Sequence, residues 1–172
     1  STPFPFTTLF RSPALSLSER RRSIYWIAHF MGDIHQPLHI SHPDGKGGIV
    51  TLLKFFEAPD KRNAHWIWDF GLIQRRAAPA RPASDVVATD QPEFRARADE
   101  LLATTTPAQR RDFERNTSPE QIANEGLALA RKYAFLTSQD HVDAAYEASR
   151  WPVVAKQLQR AGVRLATVLN RA

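Results

Sequence analysis

The chain has 172 residues, 42% of them hydrophobic and 24% charged, with no cysteine and a formal net charge of +5. That length supports one domain with a real core, since a chain of about this size buries roughly 70% of its unfolded surface. Without thiols there are no disulfides, no thiolate nucleophile and no Cys-type zinc site, and no apolar run approaches the ~18 residues needed to span a membrane.

Residues 1–12, STPFPFTTLFRS, fit no structural pattern. TTLFRS is what the end of a widely used sequencing adaptor encodes in one frame. The segment is therefore expected to be non-native and fused to an internal piece of a gene, leaving 13–172 as a partial domain. No signal peptide opens the chain. A helical pattern begins at Ser18–Glu19 and runs towards Asp33, with Ile24, Ile27, Ala28 and Met31 on one apolar face. Pro37 ends or redirects it.

Residues 41–48, SHPDGKGG, read as a loop, and Ile49–Phe56 as a buried strand or hairpin arm. Residues 58–63 turn the chain into a second helix that carries His65 to Asp69. The Pro-rich stretch 77–92 is a surface connection, followed by helices near 93–103, 107–115 and 118–137. Asn116, Thr117 or Ser118 caps the third of these, with Pro119 in its first turn. A last helix starts at Pro152 and presents Val154, Leu158, Ala161, Leu165 and Leu169 as a core stripe. The fold class is all-α with a minor β-hairpin or strand, in a single domain.

With cysteine absent, His, Asp and Glu are the strong metal ligands available. His29 and Asp33 lie four positions apart in a helical stretch, and His65 and Asp69 repeat that arrangement on a second helix, so each pair projects from one face. A His–x3–Asp pair is a bidentate platform for a borderline-soft cation such as zinc. His39, just past the Pro37 bend, can turn towards the second pair. Either pair alone is equally well a surface ion pair. The occurrence of all five within 41 positions, in two matching pairs, favours a metal. His35 and His42 read as ordinary histidines, His35 with support of the ligands as its functional alternative. His141 carries no signal. The positive charge fits a polyanionic partner such as nucleic acid, although Arg residues on solvated helix faces give the same balance.

The stretch HFMGDIHQPLH (29–39), the following DGKGG (44–48) and NAHWIWD (63–69) resemble the signature of the zinc-dependent single-strand-specific nucleases. That family includes the fungal S-one/P-one type enzymes, the plant senescence endonucleases and the trypanosomatid 3′-nucleotidases. Weaker similarity continues through IANEGLALA and the final VVAKQLQRAGVRLATVLN. The resemblance implies the mainly helical fold shared with bacterial phospholipase C. It also implies cleavage of single-stranded DNA and RNA to 5′-phosphorylated products, with 3′-nucleotidase activity as a further option. Three zinc ions are implied in an intact enzyme. His29 and Asp33 would be two ligands of a zinc pair, Asp33 bridging both ions as the catalytic carboxylate. His39, His65 and Asp69 would be the whole protein ligand set of a third ion.

A secreted or periplasmic monomer acting on single-stranded nucleic acid or nucleotides is implied as well. The family's N-terminal Trp, an early His and a further Asp and His have no counterpart here, and Ile49 replaces an Asn that helps to hold the base. No residue is assigned to substrate binding, and the chain by itself is expected to be inactive. A phospholipase C and a non-enzymatic helical metal-binding module are the rival readings.

Overall fold

Ser16 sets the start of the first helix. Its side chain accepts from the Glu19 backbone N–H, and the Glu19 carboxylate takes the Ser16 N–H at 2.8 Å, a reciprocal cap that satisfies two otherwise orphaned donors. In this computed structural model, which describes residues 10–40, 43–79, 91–135 and 140–171, helix α1 is Leu17–His35. It starts before the expected Ser18–Glu19 because the serine two positions earlier caps it. Of the segment 1–12, residues 1–9 lie outside the described residues; Phe10 packs against the α1 core and Arg11 donates to the Leu169 carbonyl.

A 3-10 turn at Pro37–Ile40 follows α1. Strand β1 is Leu52–Phe55 and β2 is Arg62–Asn63. Next come α2 (Ala64–Trp66), a π turn at Ile67–Gly71 and α3 (Leu72–Ala77). Then follow α4 (Pro92–Ala103), α5 (Pro107–Arg115) and α6 (Pro119–Leu129), the last continued by a π turn at Ala130–Ala134. Strand β3 (His141–Val142) and the long helix α7 (Ala144–Arg171) complete the chain. The expected Pro-rich connection and His42 fall largely or wholly outside the described residues. The mainly helical class with a small β element holds.

The strand is shorter than Ile49–Phe56, and only alternate residues are buried. Leu53 and Phe55 face the core, whereas Ile49, Val50 and Leu52 are exposed. β1 is the centre of a three-stranded sheet, antiparallel to β2 through Leu52↔Asn63 and parallel to β3 through Lys54↔His141. Sheet and second helix share a core in which Leu53, Phe55, Ile67, Trp68 and Leu72 meet Val142 and Tyr146. The buried Trp68 indole N–H donates to the Tyr146 hydroxyl at 2.9 Å.

The last helix does not begin at Pro152. Asp143 accepts from the Tyr146 N–H at 2.8 Å, so the helix is nucleated well before the proline, which lies on an exposed face. The buried face of α7 includes Val154, Gln157, Val163, Arg164 and Val168, with the expected Leu158, Ala161, Leu165 and Leu169 at its margins.

Gln157 and Arg164 are buried because they serve the end of α1. Gln157 donates to the His35 carbonyl at 2.9 Å. The His35 Nδ1–H donates to the Met31 carbonyl at 2.7 Å, which leaves Nε2 to accept from the Arg164 guanidinium at 2.9 Å. Glu125 on α6 holds the other side of Arg164 with both carboxylate oxygens, at 3.0 and 3.2 Å. Both ring nitrogens of His35 are thus engaged by protein groups.

Burial, reinforced by the Arg164 charge, pushes the His35 pKa down to about 4 from 6.5. The unfolded chain therefore takes up this proton first, so stability is fully present above about pH 6.5 and is lost as pH falls towards 4. The loss attributable to this residue is roughly 3 kcal/mol. Urea unfolding across that window should show the decline in the parent chain and a clearly flatter profile in His35→Gln. Equal slopes would assign the decline to other groups.

Candidate metal centre

The residue before a proline is driven to extended backbone, and Gln36 adopts φ −81°, ψ 115°. This stops α1 at His35. The Gln36 carbonyl accepts from the His39 N–H at 3.0 Å, and its side chain accepts from the Leu38 N–H. The tight turn that results brings His39 back alongside the helix it has just left.

The second helix is placed by the sheet. The Ala64 N–H donates to the Thr51 carbonyl at 2.8 Å, and Asn63 caps α2 by accepting from the Trp66 N–H at 2.7 Å. His65 is therefore the second residue of a helix whose start is pinned to Thr51, the residue before β1. Asp69 follows in the π turn, where the Leu72 N–H reaches back five residues to the Ile67 carbonyl.

All five expected ligands come together. His29 Nε2 is 3.2 Å from Asp33 Oδ2, Asp33 Oδ1 is 3.5 Å from His39 Nδ1, and His39 Nε2 is 3.6 Å from Asp69 Oδ1. The rings of His39 and His65 stack with centroids 4.8 Å apart. His65 Nδ1 lies 2.9 Å from the Gly47 carbonyl oxygen. His39 is central to the group, its side chain 20% exposed against 46% for His29, 43% for Asp33 and 48% for Asp69.

Donor atoms of His39, His65 and Asp69 all lie within 4.8 Å of one another. Tetrahedral zinc at its usual bond lengths needs donors about 3.4 Å apart, so these side chains fit the ion after closing by roughly an ångström. Two nitrogens and a carboxylate oxygen are the ligand types zinc accepts, and three protein donors leave coordination open. His29 and Asp33 add an adjacent pair of donors.

His29, Asp33 and Asp69 also edge a cleft of about 340 Å³. Its apolar wall includes Trp68, Ile73, Val154, Leu158 and Ala161. The sequence pattern marked the α7 members of that wall only as core, because a helix stripe does not show where packing ends and a cleft begins. The Gly47 carbonyl was also missed, and the clue to it was the glycine pair in DGKGG. His35 stands behind the cleft as a buried histidine bound to Arg164.

The sequence pattern of the S1/P1 Nuclease family matches residues 5–172. Endonuclease 2 of Arabidopsis thaliana is 32% identical over 155 residues, which cover 87% of this chain and 51% of that protein. Endonuclease 5 of the same plant is 31% identical over 152 residues, covering 87% and 50%. Endonuclease 1 is 28% identical over 179 residues, covering 96% and 55%. The chain spans about half the length of the curated relatives it matches.

Because His39 contacts both carboxylates and one imidazole of the group, its loss should disperse the donors. His39→Ala should lose most of the zinc retained in equilibrium dialysis, whereas His29→Ala should lose far less. Undiminished zinc in His39→Ala would exclude this ligand set.

Proposed function

The chain belongs to the S1/P1 nuclease family, and from that premise we propose that it supplies the metal-binding face of a zinc-dependent phosphodiesterase. The proposed reaction cleaves single-stranded DNA and RNA to 5′-phosphorylated products, with 3′-nucleotidase activity at the same centre. By the same family reasoning, the protein is secreted or periplasmic. The observation that carries the reading is the convergence of His29, Asp33, His39, His65 and Asp69 on one another, with His29, Asp33 and Asp69 at the edge of the cleft.

In this reading His39, His65 and Asp69 hold one zinc ion. Zinc bound there supplies Lewis acidity towards a phosphate oxygen and lowers the pKa of a coordinated water. The Asp33 carboxylate favours the proton on His39 Nδ1, which leaves Nε2 as the ring's donor beside Asp69. Asp33 directs its other oxygen towards His29, so the two side chains would serve as adjacent donors to a further cation.

Electrostatics supports a cation. Asp33 and Asp69 both face the cleft, and two carboxylates repel a phosphate unless positive charge lies between them and it. The apolar wall of Trp68, Ile73, Val154 and Leu158 excludes water from one side, so that charge acts in a less polar medium.

The His29–Asp33 end is short of donors. Among the described residues, only His39, His65 and Asp69 form a group of three such ligands. Further ions beside Asp33 need groups from elsewhere in the polypeptide.

Cleavage of a single-stranded oligonucleotide in zinc tests the proposal. A protein extended to the length of the relatives should cleave it in preference to duplex, and a chelator should stop the reaction. Asp33→Asn should slow it by roughly 100-fold or more, in line with the several kcal/mol that metal-site charge supplies. This chain alone should cleave weakly or not at all. Hydrolysis of a choline phospholipid without DNA cleavage by the extended protein, or cleavage indifferent to Asp33→Asn, would overturn the assignment.

A further inference from the structure

Three consecutive residues, Lys46, Gly47 and Gly48, hold φ values of 42°, 59° and 79°. A run of left-handed backbone is costly for residues with a Cβ, so the turn depends on its glycines. Gly48 has a second reason to be glycine. A Cβ there would lie 3.1 Å from Ala64 Cβ, 3.2 Å from the His65 backbone nitrogen and 3.2 Å from Leu38 Cδ1. The turn is thus wedged between the residue preceding His39 and the start of the helix that carries His65.

From that seat the Gly47 carbonyl oxygen meets His65 Nδ1 at 2.9 Å. A carbonyl oxygen only accepts, so the contact requires a proton on Nδ1, which in the neutral ring leaves Nε2 unprotonated. We infer that Gly47 is a positioning residue for His65: its carbonyl selects the Nδ1–H tautomer and orients the ring so that Nε2 is the nitrogen offered to a metal, while Gly48 makes the required approach possible. The inference takes its functional consequence from the zinc reading, but the tautomer itself does not depend on it.

Long-range ¹H–¹⁵N spectra of the metal-free full chain, at a pH where the ring is neutral, should show His65 protonated on Nδ1. Gly48→Ala, which forces the turn apart, should erode that preference and weaken zinc binding by roughly 10- to 100-fold, the usual cost of losing an outer partner of a metal-bound histidine. Gly162→Ala, where an added Cβ meets nothing within 4 Å, is the control and should match the parent. An Nε2-protonated His65 in the parent chain would overturn the inference. So would a folded Gly48→Ala that keeps both tautomer and affinity. If Gly48→Ala does not fold, the parent tautomer decides. If the parent chain binds no zinc, the metal reading fails while the tautomer still decides the role of Gly47.

Discussion

The end of α1 is held by a buried guanidinium, and the candidate site depends on that hold. Arg164 is 2% exposed and would be costly to bury alone; it is stabilised because Glu125 takes one side of it and His35 Nε2 the other. Three helices are joined in this way at one point. Asp33 lies two residues before His35 and His39 four residues after it, so the same anchor sets the position of both. Apolar packing of Ile27 and Met31 against Ile122 and Val168 holds the helix body. Dispersion is non-directional, however, whereas the hydrogen bonds to His35 prescribe where the helix stops and how it is rotated.

The second half of the site is set by backbone rather than by side chains. Thr51, just before β1, fixes Ala64, Asn63 caps the helix that follows, and the 46–48 turn presents its carbonyl to His65. The two halves meet through His39, which stacks on His65 and stands between two carboxylates. The arrangement is held by protein contacts on one side and open on the other, where Asp33 and Asp69 are nearly half exposed. That asymmetry suits a metal held by protein donors on one side with coordination left open on the other.

The five candidate ligands were legible because helical spacing is a local rule. His29 with Asp33, and His65 with Asp69, share a face wherever the chain is helical at those positions, and a proline after Gln36 announces a bend before His39. Motif resemblance then tied the two segments together, in agreement with the family match. Less legible were the boundaries. Ser16 outcompeted the expected start at Ser18 because its side chain completes a reciprocal cap, and Pro152 gave a false helix start because Asp143 nucleates the helix earlier.

Local sequence therefore determined which residues are chemically able to bind a metal, which helical faces carry them and that the fold is mainly helical. Only tertiary structure decided that the two faces meet, that Arg164 and Gln157 are buried partners of His35 rather than solvated residues, and that the Gly47 carbonyl reaches His65. The physical reason is separation along the chain. Periodicity and capping act over a turn or two of helix, whereas Arg164 and His35 are 129 positions apart and Gly47 and His65 are 18 apart. No local propensity encodes such distances; they are set by how the helices and the sheet bury their apolar faces together.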